Sequence, residues 1–149
     1  MTITGTRTIS AESKARLPDL FDSYLRPFAD RDAHFYLGGA VGIDTVALDW
    51  LADHSQASLT VVVPCTVVEQ PADAASSIRR WQDAGRLVQL VELGADRLGT
   101  AAYHVRNRWM VDRSGFVIGF PSNTQPASGT WYTMNYAAEQ DKPRLVVPL

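Results

Sequence analysis

The chain has 149 residues, 46% hydrophobic and 20% charged, which is typical of one globular domain that buries roughly two thirds of its unfolded surface. Its formal net charge of −2 argues against a protein that mainly coats nucleic acid, because such domains are usually basic. The single cysteine, Cys65, excludes an internal disulfide and follows an apolar run, so it is predicted to be a small buried residue. No membrane-span or signal-peptide pattern is present, and a cytoplasmic location is predicted.

Short apolar runs recur along the chain and predict six β-strands. They are rich in Val, Ile, Leu, Phe or Tyr, and most are apolar throughout, as expected of strands covered on both faces. The predicted strands are residues 2–4, 34–38, 58–64, 87–92, 115–120 and 144–148.

Apolar residues at helical spacing lie between these strands. In the first such stripe, over residues 17–28, Pro18 either starts the helix or kinks it. The other predicted helices cover residues 43–51, 73–84, 100–112 and 130–140. Strict alternation of strands and helices predicts one α/β domain over residues 1–149, a doubly wound parallel sheet with helices on both faces. Ligands of such sheets bind at the carboxyl ends of the strands.

Three predicted strand-to-helix turns consist largely of glycines and small hydroxyl residues. They are Gly5-Thr6-Arg7, Gly38-Gly39-Ala40-Val41-Gly42-Ile43-Asp44 and Ser128-Gly129-Thr130. All three should emerge at the same edge of the sheet, where helix N-termini expose N–H groups and a partial positive charge. The turns therefore predict a site for a phosphorylated ligand. The glycine spacing matches neither the dinucleotide fingerprint nor the P-loop, so no nicotinamide cofactor or NTPase is indicated.

Each residue of these turns also has a structural interpretation. The Arg7 guanidinium suits a phosphate or carboxylate, and a surface salt bridge is the alternative. Asp44 is a candidate catalytic or ribose-binding carboxylate, but a carboxylate in the first turn of a helix is explained equally well by capping. Ser128 and Thr130 have the same alternative, as helix caps, and for the glycines the alternative is a tight turn needed only for packing.

Basic residues are concentrated between residues 97 and 113. Arg106 and Asn107 place planar donors and an amide within one helical turn, which suits a phosphate together with a sugar or base edge. A solvated helix face is the alternative for about half of the arginines of this segment, which are Arg97, Arg106, Arg108 and Arg113. The three histidines show no metal-ligand spacing, and Cys65 has no second cysteine, so neither a metal nor a cofactor is predicted.

Taken in order, these motifs resemble the landmarks of the SLOG superfamily, and most closely those of the DNA-processing protein A (DprA/Smf) family. The resemblance rests on the three turns, on Arg106-Asn107-Arg108, on Ser128-Gly129-Thr130-Trp131-Tyr132-Thr133 with Ala137, and on the closing Pro143 to Pro148. The YspA/YpsA-like proteins and, more distantly, the Lonely Guy phosphoribohydrolases belong to the same Rossmann-like group. The resemblance covers nearly the whole chain.

The resemblance implies that a nucleotide or nucleotide derivative binds at the carboxyl edge of a Rossmann-like sheet. The residues that it and the turns assign to this site are Gly5, Thr6, Arg7, Gly38, Gly39, Gly42, Asp44, Arg106, Asn107, Ser128, Gly129 and Thr130. The first functional hypothesis is a nucleotide sensor without strong catalysis, and it is joined by two alternatives. One is a nucleoside-monophosphate phosphoribohydrolase that uses Asp44, and the other is a single-stranded DNA-binding module. The resemblance and the many aromatic residues also predict a homodimer.

Overall fold

The computed structural model describes residues 1–122 and 128–149, which contain six β-strands and five α-helices. The strands are β1 (Thr2–Gly5), β2 (His34–Leu37), β3 (Ser58–Val63), β4 (Leu87–Glu92), β5 (Val117–Phe120) and β6 (Arg144–Val146). The helices are α1 (Ala11–Tyr24), α2 (Ile43–His54), α3 (Ala72–Asp83), α4 (Thr100–Asp112) and α5 (Gly129–Glu139). Two short 3-10 turns, Arg26–Phe28 and Val67–Glu69, complete the described elements.

The six strands form one sheet in which every neighbouring pair is parallel. Their order is β4-β3-β2-β1-β5-β6, so the chain moves outward from β1 in one direction and then returns to build on the other side of β1. The reversal lies between β1 and β5, which pair from Thr2↔Val117 to Gly5↔Phe120. A crevice at the carboxyl ends of the two strands that flank such a reversal is the usual ligand site of doubly wound sheets.

Two groups of helices cover the sheet. Helices α1, α2 and α3 bury the larger core, in which Phe21, Leu51 and Ile78 meet the strand residues Phe35 and Val61. The smaller cluster joins α4 and α5 to β5 through Val111, Met134, Ala137 and Val117. Because strand side chains alternate between faces, the apolar strands expected from the sequence supply both clusters. The predicted doubly wound α/β fold is therefore confirmed.

Helix α1 differs from its sequence prediction at both ends. It starts at Ala11, where the Ser10 hydroxyl accepts a hydrogen bond from the Ser13 N–H at 3.0 Å, so Pro18 lies inside the helix and does not start it. Pro18 is solvent-exposed, which limits the cost of its missing N–H, while the burial of Leu17 and Phe21 favours a continuous helix. The predicted residues 25–28 instead form the 3-10 turn and its cap.

The other predicted elements match the structure to within one or two residues at most ends. Strand β5 begins at Val117, two residues later than predicted, and β6 ends at Val146, two residues earlier. None of the helices in the described part of the chain is long and apolar enough to cross a membrane.

Candidate functional site

A cavity of about 380 Å³ opens at the carboxyl edge of the sheet, where β1 and β5 lie side by side. Its walls come from the ends of both strands and from α2, α4 and α5. The lining residues are Thr4, Gly5, Thr6, Arg7, Ala40, Asp44, Thr100, Tyr103, His104, Arg106, Asn107, Met110, Pro121, Ser122, Ser128, Gly129 and Thr130. The cavity therefore occupies the crevice that the reversal of strand order creates.

The structure brings most of the predicted ligand-binding residues to this one cavity. Nine of the twelve line it, namely Gly5, Thr6, Arg7, Asp44, Arg106, Asn107, Ser128, Gly129 and Thr130. The remaining three, Gly38, Gly39 and Gly42, lie behind the lining. A Cβ on Gly39 would approach Val61, Val63 and Ile78, so this glycine packs against the core.

The turn between β2 and α2 packs closely against the end of β1. Gly42 has a φ of 88°, and a Cβ placed there would lie 2.5 Å from the carbonyl oxygen of Arg7. Next to it, the Ile43 N–H donates a 3.0 Å hydrogen bond to the Thr6 carbonyl. Gly42 thus lets two loops of the cavity wall touch through their backbones, which no residue with a side chain permits.

We expect Gly42→Ala to destabilise the protein by about 2–4 kcal/mol, because left-handed backbone strain of roughly 1–2 kcal/mol adds to a clash with backbone atoms. Gly85→Ala is the matched control, since Gly85 has a φ of 69° but no atom within 4 Å of its added Cβ. Urea unfolding of both variants measures the two costs. Equal losses of stability would show that the contact between the loops contributes nothing.

A buried ion pair forms the floor of the cavity. Arg106 is 4% exposed, and its Nη1 lies 3.7 Å from Oδ2 of Asp44 and donates to the Gly38 carbonyl. The Ala40 N–H donates to the same carboxylate oxygen at 3.4 Å. Within the described residues, the buried Arg106 Nε has no hydrogen-bond partner. Gly38 is required here because its added Cβ would lie 2.5 Å from the guanidinium carbon.

Burial controls the ionisation of this pair. It raises the pKa of the Asp44 carboxyl, while the Arg106 guanidinium, the Ala40 N–H and Arg7 oppose that rise. Burial likewise lowers the pKa of Arg106, and the Asp44 carboxylate opposes the shift. Arginine stays protonated at any physiological pH. The cavity floor therefore holds the charged Arg106 guanidinium beside the Asp44 carboxylate, whose ionised form is disfavoured by burial.

A second arginine lies over an aromatic ring at the cavity wall. Arg7 is exposed, and its guanidinium carbon lies 4.2 Å from the ring centroid of Tyr103. The guanidinium carbon of Arg106 is 5.9 Å from the same centroid. Tyr103 therefore contacts both cations, an arrangement that cation–π attraction stabilises.

Hydroxyl groups and the start of α5 complete the wall. The Ser128 side chain accepts from the Trp131 N–H at 3.4 Å, so Ser128 caps α5 as its residue type predicts. Across the cavity, the Ser122 hydroxyl donates to the Thr6 hydroxyl at 3.1 Å. The first turn of a helix presents N–H groups and a partial positive charge. Together with Arg7 and Arg106, this wall suits an anionic ligand.

The sequence analysis missed the aromatic part of the cavity, Tyr103 and His104. Tyr103 precedes Arg106 by three residues and Asn107 by four, so all three lie on one face of α4. Helical spacing from the predicted Arg106-Asn107 pair was thus a signal that could have identified Tyr103. The ring of His104 stacks on Tyr132 of α5 and has no such signal, because that contact joins two helices.

The other predicted features of this region divide between surface and core. Of the four arginines between residues 97 and 113, Arg97, Arg108 and Arg113 are exposed and Arg106 is buried. Cys65 is 1% exposed, as expected of a small core residue. Among the described residues, no group of three or more His, Cys, Asp or Glu side chains is placed to hold a metal ion.

The fold and the site together define a class of protein, the doubly wound Rossmann-like domains with a cavity at the reversal of strand order. A profile of the family described as DNA recombination-mediator protein A matches residues 1–149, and the chain belongs to this family. This match confirms the resemblance to DprA/Smf proteins that the motifs indicate. No curated protein sequence matches the chain significantly.

Two solved structures of DNA processing protein A share the fold. The protein from Streptococcus pneumoniae is 18% identical with a TM-score of 0.72, and the match covers 99% of this chain and 50% of that one. The protein from Helicobacter pylori is 24% identical with a TM-score of 0.72, and the match covers 99% and 64% respectively. The Helicobacter pylori protein has a unique single-stranded DNA-binding mode. The chain thus spans between half and two thirds of the length of these structures.

Proposed function

We propose that this protein binds single-stranded DNA by receiving one nucleotide of the strand in the cavity between β1 and β5. The observation that carries the proposal is the placement of Arg7, Arg106 and the first turn of α5 around one cavity next to the Tyr103 ring. Membership of the recombination-mediator family and the DNA-binding mode described for the Helicobacter pylori protein support a polynucleotide as the ligand.

The phosphate of the bound nucleotide is assigned to Arg7 and to the start of α5. Arg7 is exposed and stacks on Tyr103, so its guanidinium can move to a phosphate at little cost. The hydroxyl groups of Thr6 and Ser128 and the N–H groups of the first α5 turn offer further hydrogen bonds to the same anion.

The base of the nucleotide is assigned to the Tyr103 ring. When Arg7 turns towards the phosphate, the face that it covered becomes available, and an aromatic face accepts any base by stacking. Asn107, one turn from Tyr103 on α4, provides an amide for a sugar or base edge. Binding by stacking and charge would depend little on base sequence, as expected of a recombination mediator.

Fluorescence anisotropy with a labelled oligonucleotide tests this function, with a duplex of the same length as the control. We expect binding to the single strand, and a log K that falls with log salt at a slope of about −0.7 for each phosphate that an arginine of the site neutralises. The duplex should bind far more weakly, because its paired and stacked bases cannot reach the Tyr103 ring. Equal affinity for both DNA forms, or no dependence on salt, would refute the proposal.

A free nucleotide is the second candidate ligand, and the first hypothesis from the sequence. The cavity volume of about 380 Å³ falls within the range of small-molecule sites, which is about 300–1,000 Å³. The net charge of −2 also disfavours a long polyanion. Binding of a mononucleotide without binding of an oligonucleotide would favour this candidate.

The phosphoribohydrolase alternative depends on Asp44, the one carboxylate among the described residues that line the cavity. Its Oδ2 atom faces Arg106 and the Ala40 N–H, which is the environment of a structural ion pair. A general base needs access to water or substrate, and Asp44 is 7% exposed. These contacts favour binding over hydrolysis.

A cytoplasmic location and a homodimer stay predictions from the sequence. The Phe28 side chain, at 37% exposure, would suit an interface. The Phe28 ring lies 5.2 Å from that of Phe116, so these two residues form a small aromatic patch. Sedimentation of the protein with and without DNA would measure its oligomeric state.

A further inference from the structure

A second ring system borders the cavity, one residue along α4 from Tyr103. The imidazole of His104, which lines the cavity, stacks on the phenol ring of Tyr132 with centroids 3.5 Å apart and planes 6° apart. Both side chains are half-buried. Parallel rings at this spacing form a platform on which a further flat ring can stack.

The platform continues along the two helices as a polar and aromatic strip. Arg108 lies one turn after His104 on α4 and is exposed. Tyr136 lies one turn after Tyr132 on α5, close enough to Arg108 for the positive charge to oppose the rise in the Tyr136 pKa. The Tyr136 hydroxyl donates to Oδ1 of Asp112 at 2.9 Å. The strip therefore begins at the His104–Tyr132 platform beside the cavity, has Arg108 in its middle, and ends at the Asp112 carboxylate.

The contact between α4 and α5 does not require this platform. Buried apolar side chains, among them Val111 of α4 and Met134 and Ala137 of α5, already join the two helices. Half-buried aromatic rings beside a cation are the kind of surface on which single-stranded nucleic acid stacks its bases. Because Arg108 is positively charged and DNA phosphates are negatively charged, we expect the strand that leaves the cavity to bind on this strip.

We propose that the His104–Tyr132 platform stacks the base of a second nucleotide, whose phosphate meets Arg108. This inference rests on the proposed function, since the first nucleotide occupies the cavity. Asp112 would repel a further phosphate, so the strip accommodates about one nucleotide beyond the cavity. The site then binds two successive nucleotides, whose bases stack on Tyr103 and His104, two neighbouring residues of α4.

A length series tests the second position. Thymidine monophosphate and the matching di-, tri- and tetranucleotides compete with a labelled oligonucleotide for the wild-type protein. We expect the main gain in affinity, about 5- to 150-fold, between the mononucleotide and the dinucleotide, and little gain beyond it. Tyr132→Leu should remove most of this gain while leaving the affinity for the mononucleotide unchanged, and Tyr132→Phe should retain the gain.

Tyr24→Leu is the matched control, because Tyr24 is a partly exposed tyrosine on α1, among the helices of the larger core. It should behave as wild type at every length. The second position is refuted if the wild-type gain is absent, or if Tyr132→Leu keeps it. In both cases mononucleotide and oligonucleotide binding would leave the proposed function standing. Failure of every ligand to bind the wild-type protein would instead refute both proposals.

Discussion

Replacement of Arg106 by methionine is expected to lower the free energy of unfolding by about 3–5 kcal/mol. The change leaves the Asp44 carboxylate buried without the opposite charge that lies 3.7 Å away in the native protein. For a domain of this size the loss corresponds to a fall in Tm of about 10–16 °C. Urea and thermal unfolding of the variant would measure it.

The loss of stability should depend on pH in a defined direction. Burial raises the pKa of Asp44, and removal of Arg106 takes away the largest opposing effect. A raised native pKa means that the native state binds the proton more tightly than the unfolded state. The missing stability is therefore restored below the unfolded pKa, about 3.9, and lost as pH rises through the native pKa. The deficit of Arg106→Met relative to wild type should shrink as pH falls from 7 towards 4.

The double variant Asp44→Leu with Arg106→Met is the control. Because a buried ion pair costs desolvation of both charges, an apolar replacement of similar volume should recover the stability of the single variant and can exceed that of wild type. It should also show no pH-dependent deficit and should bind single-stranded DNA less well. A single variant as stable as wild type at pH 7 would show that the pair is not coupled.

Replacement of Arg7 by alanine is expected to weaken single-stranded DNA binding about 10- to 150-fold with little change in stability. The estimate assumes the loss of one charge-assisted hydrogen bond to phosphate, worth about 1.5–3 kcal/mol. Arg7 is exposed, so the free energy of unfolding should change by less than about 0.5 kcal/mol. The salt slope of log K should also become shallower by about 0.7. Anisotropy titrations at several salt concentrations would measure both quantities.

Arg80→Ala provides a closely matched control for the Arg7 variant. The Arg80 guanidinium carbon lies 4.2 Å from the Trp81 ring centroid, the same distance as between Arg7 and Tyr103, but on α3 and outside the cavity. Its loss removes an equal charge and an equal stack without touching the site. If both variants weaken DNA binding alike, the effect of Arg7 is one of general charge, and the assignment of the phosphate to Arg7 is wrong.

The sequence by itself determined the strands and helices, and the edge of the sheet at which the three strand-to-helix turns meet. Apolar runs and helical stripes are local patterns. The spacing of the apolar residues decides whether a strand or a helix can bury them on one face, whichever distant partner covers that face. The Ser128 cap and the positive φ of Gly42 are equally local, since a capping hydroxyl and a missing Cβ act within a few residues. These features could therefore be predicted.

Tertiary structure alone decided which side chains meet in the cavity. Arg106 is 68 residues from Gly38, whose carbonyl it binds, and the Arg7–Tyr103 and His104–Tyr132 stacks likewise join separate elements. The sequence left Arg106 open between a ligand contact and a solvated helix face, and the structure buries it against Asp44. Such contacts depend on strand order and on how α4 lies across the sheet. No local pattern encodes these, because the reversal of strand order at β1 places β1 and β5 side by side although they are far apart in the chain.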